Sequence, residues 1–157
     1  MFATLLSSSV MTMPDSALQN DATIATSSVA MTEIVSTSSK PLTKKEIRKQ
    51  LNATVGPALK SYFKDAPIME RVAYCESTHT QFISEGVVHR GVVNNKDVGI
   101  FQINEKYHLK DSKKMGIDIY TIEGNMEYAR HLYEEQGLQP WSASRPCWGK
   151  YLDLAIK

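Results

Sequence analysis

Apolar residues recur at helical spacing directly ahead of one glutamate. Ile68, Val72 and Cys75 lie at positions i, i+4 and i+7, which places them on one face of a helix. We expect Asp65 to cap this helix and Pro67 to stand in its first turn, because both residue types favour those positions. The glutamate then lies at the C-terminal end of the helix, on the edge of the buried face.

A second helix is predicted between Thr121 and Gln136. Thr121 is a suitable N-cap, and Gly137 is a suitable glycine at the C-terminal end. Apolar positions at helical spacing predict the buried face of this helix: Ile122, Met126, Ala129, Leu132 and Tyr133.

Two shorter helical stretches are predicted before the first of these helices. Thr43 and Glu46 form a capping box, which predicts a helix that runs through Leu51. Gly56-Pro57 should interrupt the helical structure, and a second helical stretch is expected over residues 59–64.

Between Gln81 and Asn104 the helical period gives way to short β-prone pieces. Val87-Val88 and Val92-Val93 are examples, and Gly and Asn residues separate them. We expect a small antiparallel sheet or a set of hairpins. Beyond this region the pattern predicts short helical turns over residues 107–115, a tight aromatic turn over residues 140–148 and a last helix over residues 151–156.

The first 39 residues differ sharply in composition from the rest. They contain 9 Ser and 6 Thr, no Lys or Arg, and Phe2 as their single aromatic residue. Such a segment cannot bury enough apolar surface to offset its chain entropy, so residues 1–40 are predicted to be a disordered arm. It is either the remnant of an export signal that lacks a basic leader or a polar linker. Residues 41–157 are predicted to form one domain.

Charge and hydropathy narrow the classes of partner. All 18 Lys and Arg residues lie at position 40 or later together with 14 of the 17 acids, so residues 40–157 carry a net charge of +4. This mild basicity suits an anionic polymer such as a cell wall and is too weak to indicate nucleic acid. No apolar run is long enough to predict a membrane span.

The candidate chemistry lies in two short segments. Glu76 follows the apolar stripe at a helix C-terminus, where burial and the helix dipole both disfavour the carboxylate and raise its pKa. Twenty-one residues later, Asp97 opens the run Asp-Val-Gly-Ile-Phe-Gln-Ile-Asn, which ends at Asn104. A partly desolvated carboxylic acid facing a polar strand is the arrangement that cleavage of a glycosidic bond requires.

Together with Gly124-Asn125 and Ala129, these two segments resemble the lysozyme-like superfamily in its transglycosylase SLT type. The resemblance covers roughly half of the chain, from Ile68 to Trp148. It implies a mostly helical α+β lysozyme-like domain that cleaves the β-1,4 bond between N-acetylmuramic acid and N-acetylglucosamine. The expected partner is the glycan strand of peptidoglycan, met by a monomer outside the cytoplasm, and no metal or organic cofactor is implied.

The resemblance also implies roles for individual residues. Glu76 would protonate the glycosidic oxygen and then accept the proton of the sugar's own 6-hydroxyl, which gives a 1,6-anhydromuramyl product. The residues expected to contact the substrate are Ser77, Asp97, Gln102, Asn104, Tyr128 and Trp141.

The chain departs from the SLT pattern at three places. Lys96-Asp97-Val98-Gly99 replaces a small-residue run before the glutamine, Leu132 stands where a Tyr is expected, and residues 141–144 replace a Tyr-Asn-x-Gly segment. The aromatic residue that contacts the sugar is therefore left open.

Two alternatives remain beside the transglycosylase hypothesis. One is a hydrolytic muramidase that uses Glu76 and Asp97 together, as animal-type lysozymes do. The other is an inactive glycan-binding module. Asp97 also has a plain structural interpretation as a turn residue, and Trp141 and Trp148 have one as core residues.

Cys75 and Cys147 are the only cysteines in the chain. They predict one disulfide, which would join the helix that carries Glu76 to the aromatic turn and would indicate an oxidising compartment. Two buried free thiols are the alternative. The four histidines have no metal-ligand spacing.

Overall fold

The computed structural model describes residues 40–155, which form a mostly helical α+β arrangement, as predicted. Its helices are α1 (Lys44–Leu51), α2 (Val55–Tyr62), α3 (Ile68–Ser77), α4 (Glu105–Lys114), α5 (Ile122–Gln136) and α6 (Arg145–Trp148). Its strands are β1 (Phe82–Ser84), β2 (Val87–Val88), β3 (Asp97–Val98) and β4 (Ile103–Asn104). Two 3₁₀ helices cover Gln139–Ser144 and Gly149–Ala155.

Parts of the prediction fall on residues beyond this range. The predicted arm lies outside the described residues except for Lys40, and so does Ile156 at the end of the last predicted helix. Within residues 40–155, no helix has the length and apolar character needed to cross a bilayer.

The first two helices confirm one prediction and correct another. The capping box is present, since Thr43 Oγ1 accepts from the Glu46 backbone N–H while the Glu46 carboxylate accepts from the Thr43 N–H. The predicted break at Gly56-Pro57 is wrong, because both residues lie in the first turn of α2. The first N–H groups of a helix have no acceptor within it, so proline is tolerated there.

Helix α3 begins at Ile68, but the prediction of its cap is wrong. Pro67 holds the N-cap position, and no side chain bonds there. Asp65 instead accepts from Arg130 of α5 through both carboxylate oxygens, at 2.7 and 3.0 Å. A forked ion pair satisfies a carboxylate better than a single backbone N–H, so Asp65 ties α5 to the connection that leads into α3.

Two antiparallel pairs make up the β region, as predicted. In the first pair Phe82 lies opposite Val88, and in the second Asp97 lies opposite Asn104. The β-prone pair Val92-Val93 forms no strand, and both side chains are fully exposed in the loop between β2 and β3. Valine favours strands because it packs on a half-buried pleated surface, which this loop does not provide.

Of the two helices that follow the sheets, α4 is longer than predicted and α5 has the predicted length. α4 is a continuous helix of 10 residues where only short turns were predicted, and Asn104 caps it by accepting from the Lys106 N–H at 3.1 Å. α5 has the predicted limits, with Thr121 accepting from the Gly124 N–H and Gly137 following at a φ of 61°.

The core lies between α2, α3, α5 and the turn that joins β3 to β4. Three aromatic rings cross it: Phe63 packs on Phe101 with ring centroids 5.4 Å apart, and Phe101 packs on Trp141 at 5.8 Å. All three side chains are buried. The first 3₁₀ helix is therefore anchored in the same core as α3.

Cys75 of α3 and Cys147 of α6 form the predicted disulfide. Their Cα atoms are 5.9 Å apart, and 72 sequence positions separate them. The bond fastens the C-terminal segment to the end of α3.

Candidate active site

Glu76 lies in the last turn of α3, which is firmly held. The helix ends because Thr78 adopts the left-handed conformation, with a φ of 52°. The buried hydroxyl of Ser77 donates to the Ile100 carbonyl at 2.8 Å and accepts from the Thr80 N–H at 3.0 Å. The end of α3 is thereby bonded to the turn that follows β3.

Two buried amides shape the turn between β3 and β4. Gln81 Oε1 accepts from the Ile100 N–H at 3.0 Å, and Asn125 Oδ1 accepts from the Phe101 N–H at 2.9 Å. Gly99 has a φ of 75° and lies so close to both amides that a Cβ atom would overlap them. Only glycine combines this conformation with this approach.

Asp97 is fixed on β3 by two asparagines. Its Oδ1 accepts from Asn104 Nδ2 at 2.7 Å and from Asn94 Nδ2 at 3.2 Å. Both bonds are made to the same oxygen, which leaves Oδ2 free of them. One carboxylate oxygen therefore bonds two asparagine side chains of this region, and the other takes part in neither bond.

A cleft of about 190 Å³ brings the two carboxyl groups to one place. Residues of α3, the β3–β4 hairpin, α4, α5 and the first 3₁₀ helix line it: Glu76, Asp97, Phe101, Gln102, Ile103, Asn104, His108, Leu132, Pro140, Trp141 and Ala143.

The environment of Glu76 favours its protonated form. Burial raises the pKa of Glu76 above its ordinary value of 4.5, a hydrogen bond from Ser144 opposes this, and the negative charge of Asp97 raises the pKa further. A carboxyl group with a raised pKa keeps its proton where an exposed one has lost it, so it can act as a general acid.

Ser144, at the end of the first 3₁₀ helix, contacts Glu76 directly. Its Oγ donates to Glu76 Oε1 at 2.5 Å and accepts from Trp148 Nε1 at 3.0 Å. The backbone carbonyl of Trp141 lies 3.1 Å from the same hydroxyl. The orientation of Glu76 therefore depends on the C-terminal segment.

The two cysteines of the disulfide are close in sequence to the two residues of this hydrogen bond. Cys75 directly precedes Glu76, and Cys147 stands between Ser144 and Trp148. A covalent link and a hydrogen bond thus hold the same junction.

Gln102 lines the cleft with a left-handed backbone, at a φ of 49°. Its Nε2 donates to the Gly99 carbonyl at 2.8 Å. This conformation costs a non-glycine residue of order 1–3 kcal/mol and concentrates at functional sites. The amide is held by the turn, with its oxygen near Gly91.

His108 reaches the cleft from α4. Its Nδ1 lies 3.2 Å from the Tyr128 hydroxyl, and burial lowers the pKa of the imidazole. Burial therefore favours the neutral form of the ring beside the two carboxyl groups.

The structure brings together most of the predicted site residues. The cleft contains Glu76, Asp97, Gln102, Asn104 and Trp141. Two residues expected to contact the substrate lie elsewhere: Ser77 and Tyr128 are buried and do not line the cleft. Ser77 bonds backbone groups, and the Tyr128 hydroxyl bonds the His108 ring, because buried hydroxyl groups must find partners.

Sequence reasoning missed three residues that shape the site. His108 lines the cleft, Ser144 holds Glu76, and Gln81 holds the turn. A helix of full length over residues 105–114 would have pointed to His108. Ser144 and Gln81 act across 68 and 19 sequence positions, and no local pattern signals such contacts.

A larger concavity, of about 600 Å³, opens between α1, α2 and the end of α3. Lys45, Arg48, Lys49 and His79 contribute to its lining, and none of its lining residues is acidic. This concavity has no carboxyl group and the smaller cleft has two, so the smaller cleft is the candidate active site.

Comparison of the chain with protein-family models, with curated proteins and with solved structures finds no match. The assignment of function therefore depends on the residues of the cleft.

Proposed function

We propose that the protein is a peptidoglycan-cleaving lytic transglycosylase with a lysozyme-like fold, acting on the β-1,4 bond between N-acetylmuramic acid and N-acetylglucosamine. The observation that carries this proposal is the half-buried Glu76, whose pKa burial raises, in a cleft shared with Asp97. The order of elements agrees with the fold that the resemblance implies: a helix that ends at the acid, two β-hairpins and a long helix.

In this proposal Glu76 is both acid and base. Protonated Glu76 donates its proton to the glycosidic oxygen as the bond to the muramyl C1 breaks. The resulting carboxylate then takes the proton of the sugar's own 6-hydroxyl, and the 6-oxygen bonds to C1 to give the 1,6-anhydro ring. The 6-hydroxyl is tethered to the reacting sugar, so the step needs no captured water.

The surroundings of Asp97 support a helping role for it. Two asparagines occupy its Oδ1, and its negative charge raises the pKa of Glu76. A negative charge near the positively charged transition state of glycoside cleavage also stabilises it. Asp97 therefore contributes electrostatically while Glu76 transfers the protons.

The test compares Glu76→Gln with wild type on purified peptidoglycan. We expect the variant to lose turnover by about a thousandfold or more, because an acid–base group and its charge placement are removed together. Glu70→Gln is the matched control, since it changes a carboxyl group of the same helix that does not line the cleft. A Glu76→Gln variant that keeps a tenth of wild-type activity would refute the assignment.

One observation favours a hydrolytic muramidase as the second candidate. Asp97 Oδ2 is free of the two asparagine bonds and belongs to the lining of the cleft, where it can hold a water or attack the sugar. Mass spectrometry of the digested wall separates the two reactions. Anhydromuramyl ends with a modest rate loss in Asp97→Asn support the transglycosylase, and reducing ends with near-complete loss support the hydrolase.

The disulfide supports a place outside the cytoplasm for the proposed enzyme. Cys75 and Cys147 are paired, and disulfides persist in oxidising compartments. A wall polymer is also found there, so the proposed substrate and the proposed location agree.

A further inference from the structure

The Ser144 hydroxyl lies where three polar groups meet. Glu76 Oε1 is 2.5 Å from its Oγ, the Trp141 carbonyl oxygen 3.1 Å and Trp148 Nε1 3.0 Å. A serine hydroxyl has one proton to donate and two lone pairs that accept. An indole N–H only donates, and Trp148 Nε1 also lies 3.0 Å from the Trp141 carbonyl oxygen, so its proton is shared between this carbonyl and one lone pair of Ser144 Oγ.

The remaining proton and lone pair of the Ser144 hydroxyl allow two arrangements in which every polar group has a hydrogen-bond partner. When Glu76 is ionised, Ser144 donates to the carboxylate. When Glu76 is protonated, its O–H donates to Ser144 Oγ, and the serine proton turns toward the Trp141 carbonyl. Apart from the proton that the carboxyl group gains or loses, only a rotation about the Cβ–Oγ bond separates the two, and the serine proton stays on Oγ throughout. No polar group of the cluster is left unpaired in either state.

We propose that Ser144 is a positioning residue for Glu76 in both halves of the reaction, because its hydroxyl reverses the direction of one hydrogen bond when the carboxyl group changes its protonation state. The inference rests on the proposed function for its catalytic meaning. The hydrogen bond and its reversal are properties of the folded protein and are measurable without substrate.

Serine suits this place because the same carboxyl group must act first as acid and then as base. A partner that only donates, such as a lysine, would favour the carboxylate and oppose the acid form. A partner that only accepts would do the opposite. A hydroxyl group holds the carboxyl oxygen in both forms, so Glu76 need not move when it changes role.

The other groups that face Glu76 across the cleft do not replace this contact. Asp97 on β3 repels the carboxylate. His108 on α4 is the other titratable group of the lining. The cleft residues of α5 and of the first 3₁₀ helix carry no titratable side chain: Leu132, Pro140, Trp141 and Ala143.

The test is an NMR titration of the Glu76 side chain in the full chain, with Ser142→Ala as the matched control. Ser142 is an exposed serine on the same 3₁₀ helix and does not line the cleft. Ser144→Ala should raise the pKa of Glu76 above that of wild type, because the serine bonds the charged carboxylate more strongly than the neutral acid, and Ser142→Ala should leave it unchanged. Equal titration curves for Ser144→Ala and Ser142→Ala would overturn the proposal.

Kinetics on glycan strands supply the second readout. Ser144→Ala should lower kcat by about tenfold with little change in KM, a loss typical of one hydrogen bond to a charged group. Ser144→Thr, which keeps the hydroxyl, should recover most of the loss, and failure of this rescue would count against the proposal. If wild type cleaves no glycan, the proposed function fails, whereas the titration still decides the hydrogen bond.

Trp148→Phe provides the same test if Ser144→Ala does not fold. It removes the indole donor and keeps an aromatic ring in the core, so the serine is held less firmly. We expect the pKa of Glu76 to rise above that of wild type. An unchanged titration of Glu76 in a folded Trp148→Phe protein would overturn the proposal.

Discussion

The indole nitrogen of Trp141 donates to the backbone carbonyl of Phe101 at 3.0 Å, and both side chains are buried. This bond joins the first 3₁₀ helix to the turn between β3 and β4. Both segments contribute to the lining of the cleft, and Ser144 lies in the first of them. The bond therefore sets the distance between the residue that holds Glu76 and the hairpin that carries Asp97.

Trp141→Phe is expected to destabilise the protein. The variant leaves the Phe101 carbonyl without its donor, which costs about 1–3 kcal/mol for a buried group, and the smaller ring adds a packing defect. Denaturant unfolding followed by circular dichroism measures the change. Tyr107→Phe, at a residue that is 67% exposed, is the control and should lie within about 0.5 kcal/mol of wild type.

Glu76→Gln is expected to stabilise the folded protein at neutral pH. Because folding raises the pKa of Glu76, the folded chain holds this proton at a pH where the unfolded chain has released it, and stability is lost as the pH rises past the ordinary value of 4.5. Glutamine does not ionise, so the variant does not lose this stability as the pH rises. At pH 3 the carboxyl group is protonated in both states, so the gain should disappear. Unfolding free energies of both proteins at pH 3 and pH 7 test this, and a variant that is less stable at pH 7 would contradict it.

Gly99→Ala separates a steric requirement from a conformational one. Gly99 and Gly86 both have positive φ values, 75° and 67°, but a Cβ atom overlaps Gln81 and Asn125 at Gly99 and meets nothing within 4 Å at Gly86. Gly86→Ala should cost about 1 kcal/mol of backbone strain, and Gly99→Ala should cost several times more because the buried amides must move. Thermal unfolding of the two variants checks the ranking, and equal costs would show that the amides yield.

Removal of the disulfide is expected to weaken stability and activity together. The Cys75→Ala and Cys147→Ala double variant frees a loop of 72 positions, for which chain entropy gives an upper limit of about 4 kcal/mol. The link between Glu76 and Ser144 should loosen as well. The measurements are thermal unfolding and glycan cleavage at a temperature where the variant is still folded. Full activity in the folded variant would show that the hydrogen bonds alone hold the junction.

Local sequence patterns predict the helices and strands of this chain better than they predict the contacts between them. The limits of α5 and the capping box of α1 follow from neighbouring residues, so the sequence predicts them. Asp65 shows where this fails: its type suits a cap, but Arg130, 65 positions away, binds it more strongly. Pro57 is a second example: a proline ends a helix when it lies in the interior, but Pro57 lies in the first turn of α2, where proline is tolerated.

The same distinction holds in the cleft. Glu76, Asp97 and Gln102 lie in short motifs, and the sequence predicts that they belong together. Ser77 belongs to the motif as well, but its hydroxyl is turned to the backbone of the next segment. Ser144 has no motif, and only the folded chain brings it to the acid.

The separation of 68 positions between Glu76 and Ser144 affects when their contact forms during folding. Contacts between residues far apart in sequence form late, because the chain must first lose the entropy of the long loop between them. Until the C-terminal segment docks, Ser144 cannot hold Glu76, and the cleft lacks the residues that the first 3₁₀ helix contributes. We therefore expect a newly made molecule to gain the proposed activity only when its folding and the pairing of its thiols are complete.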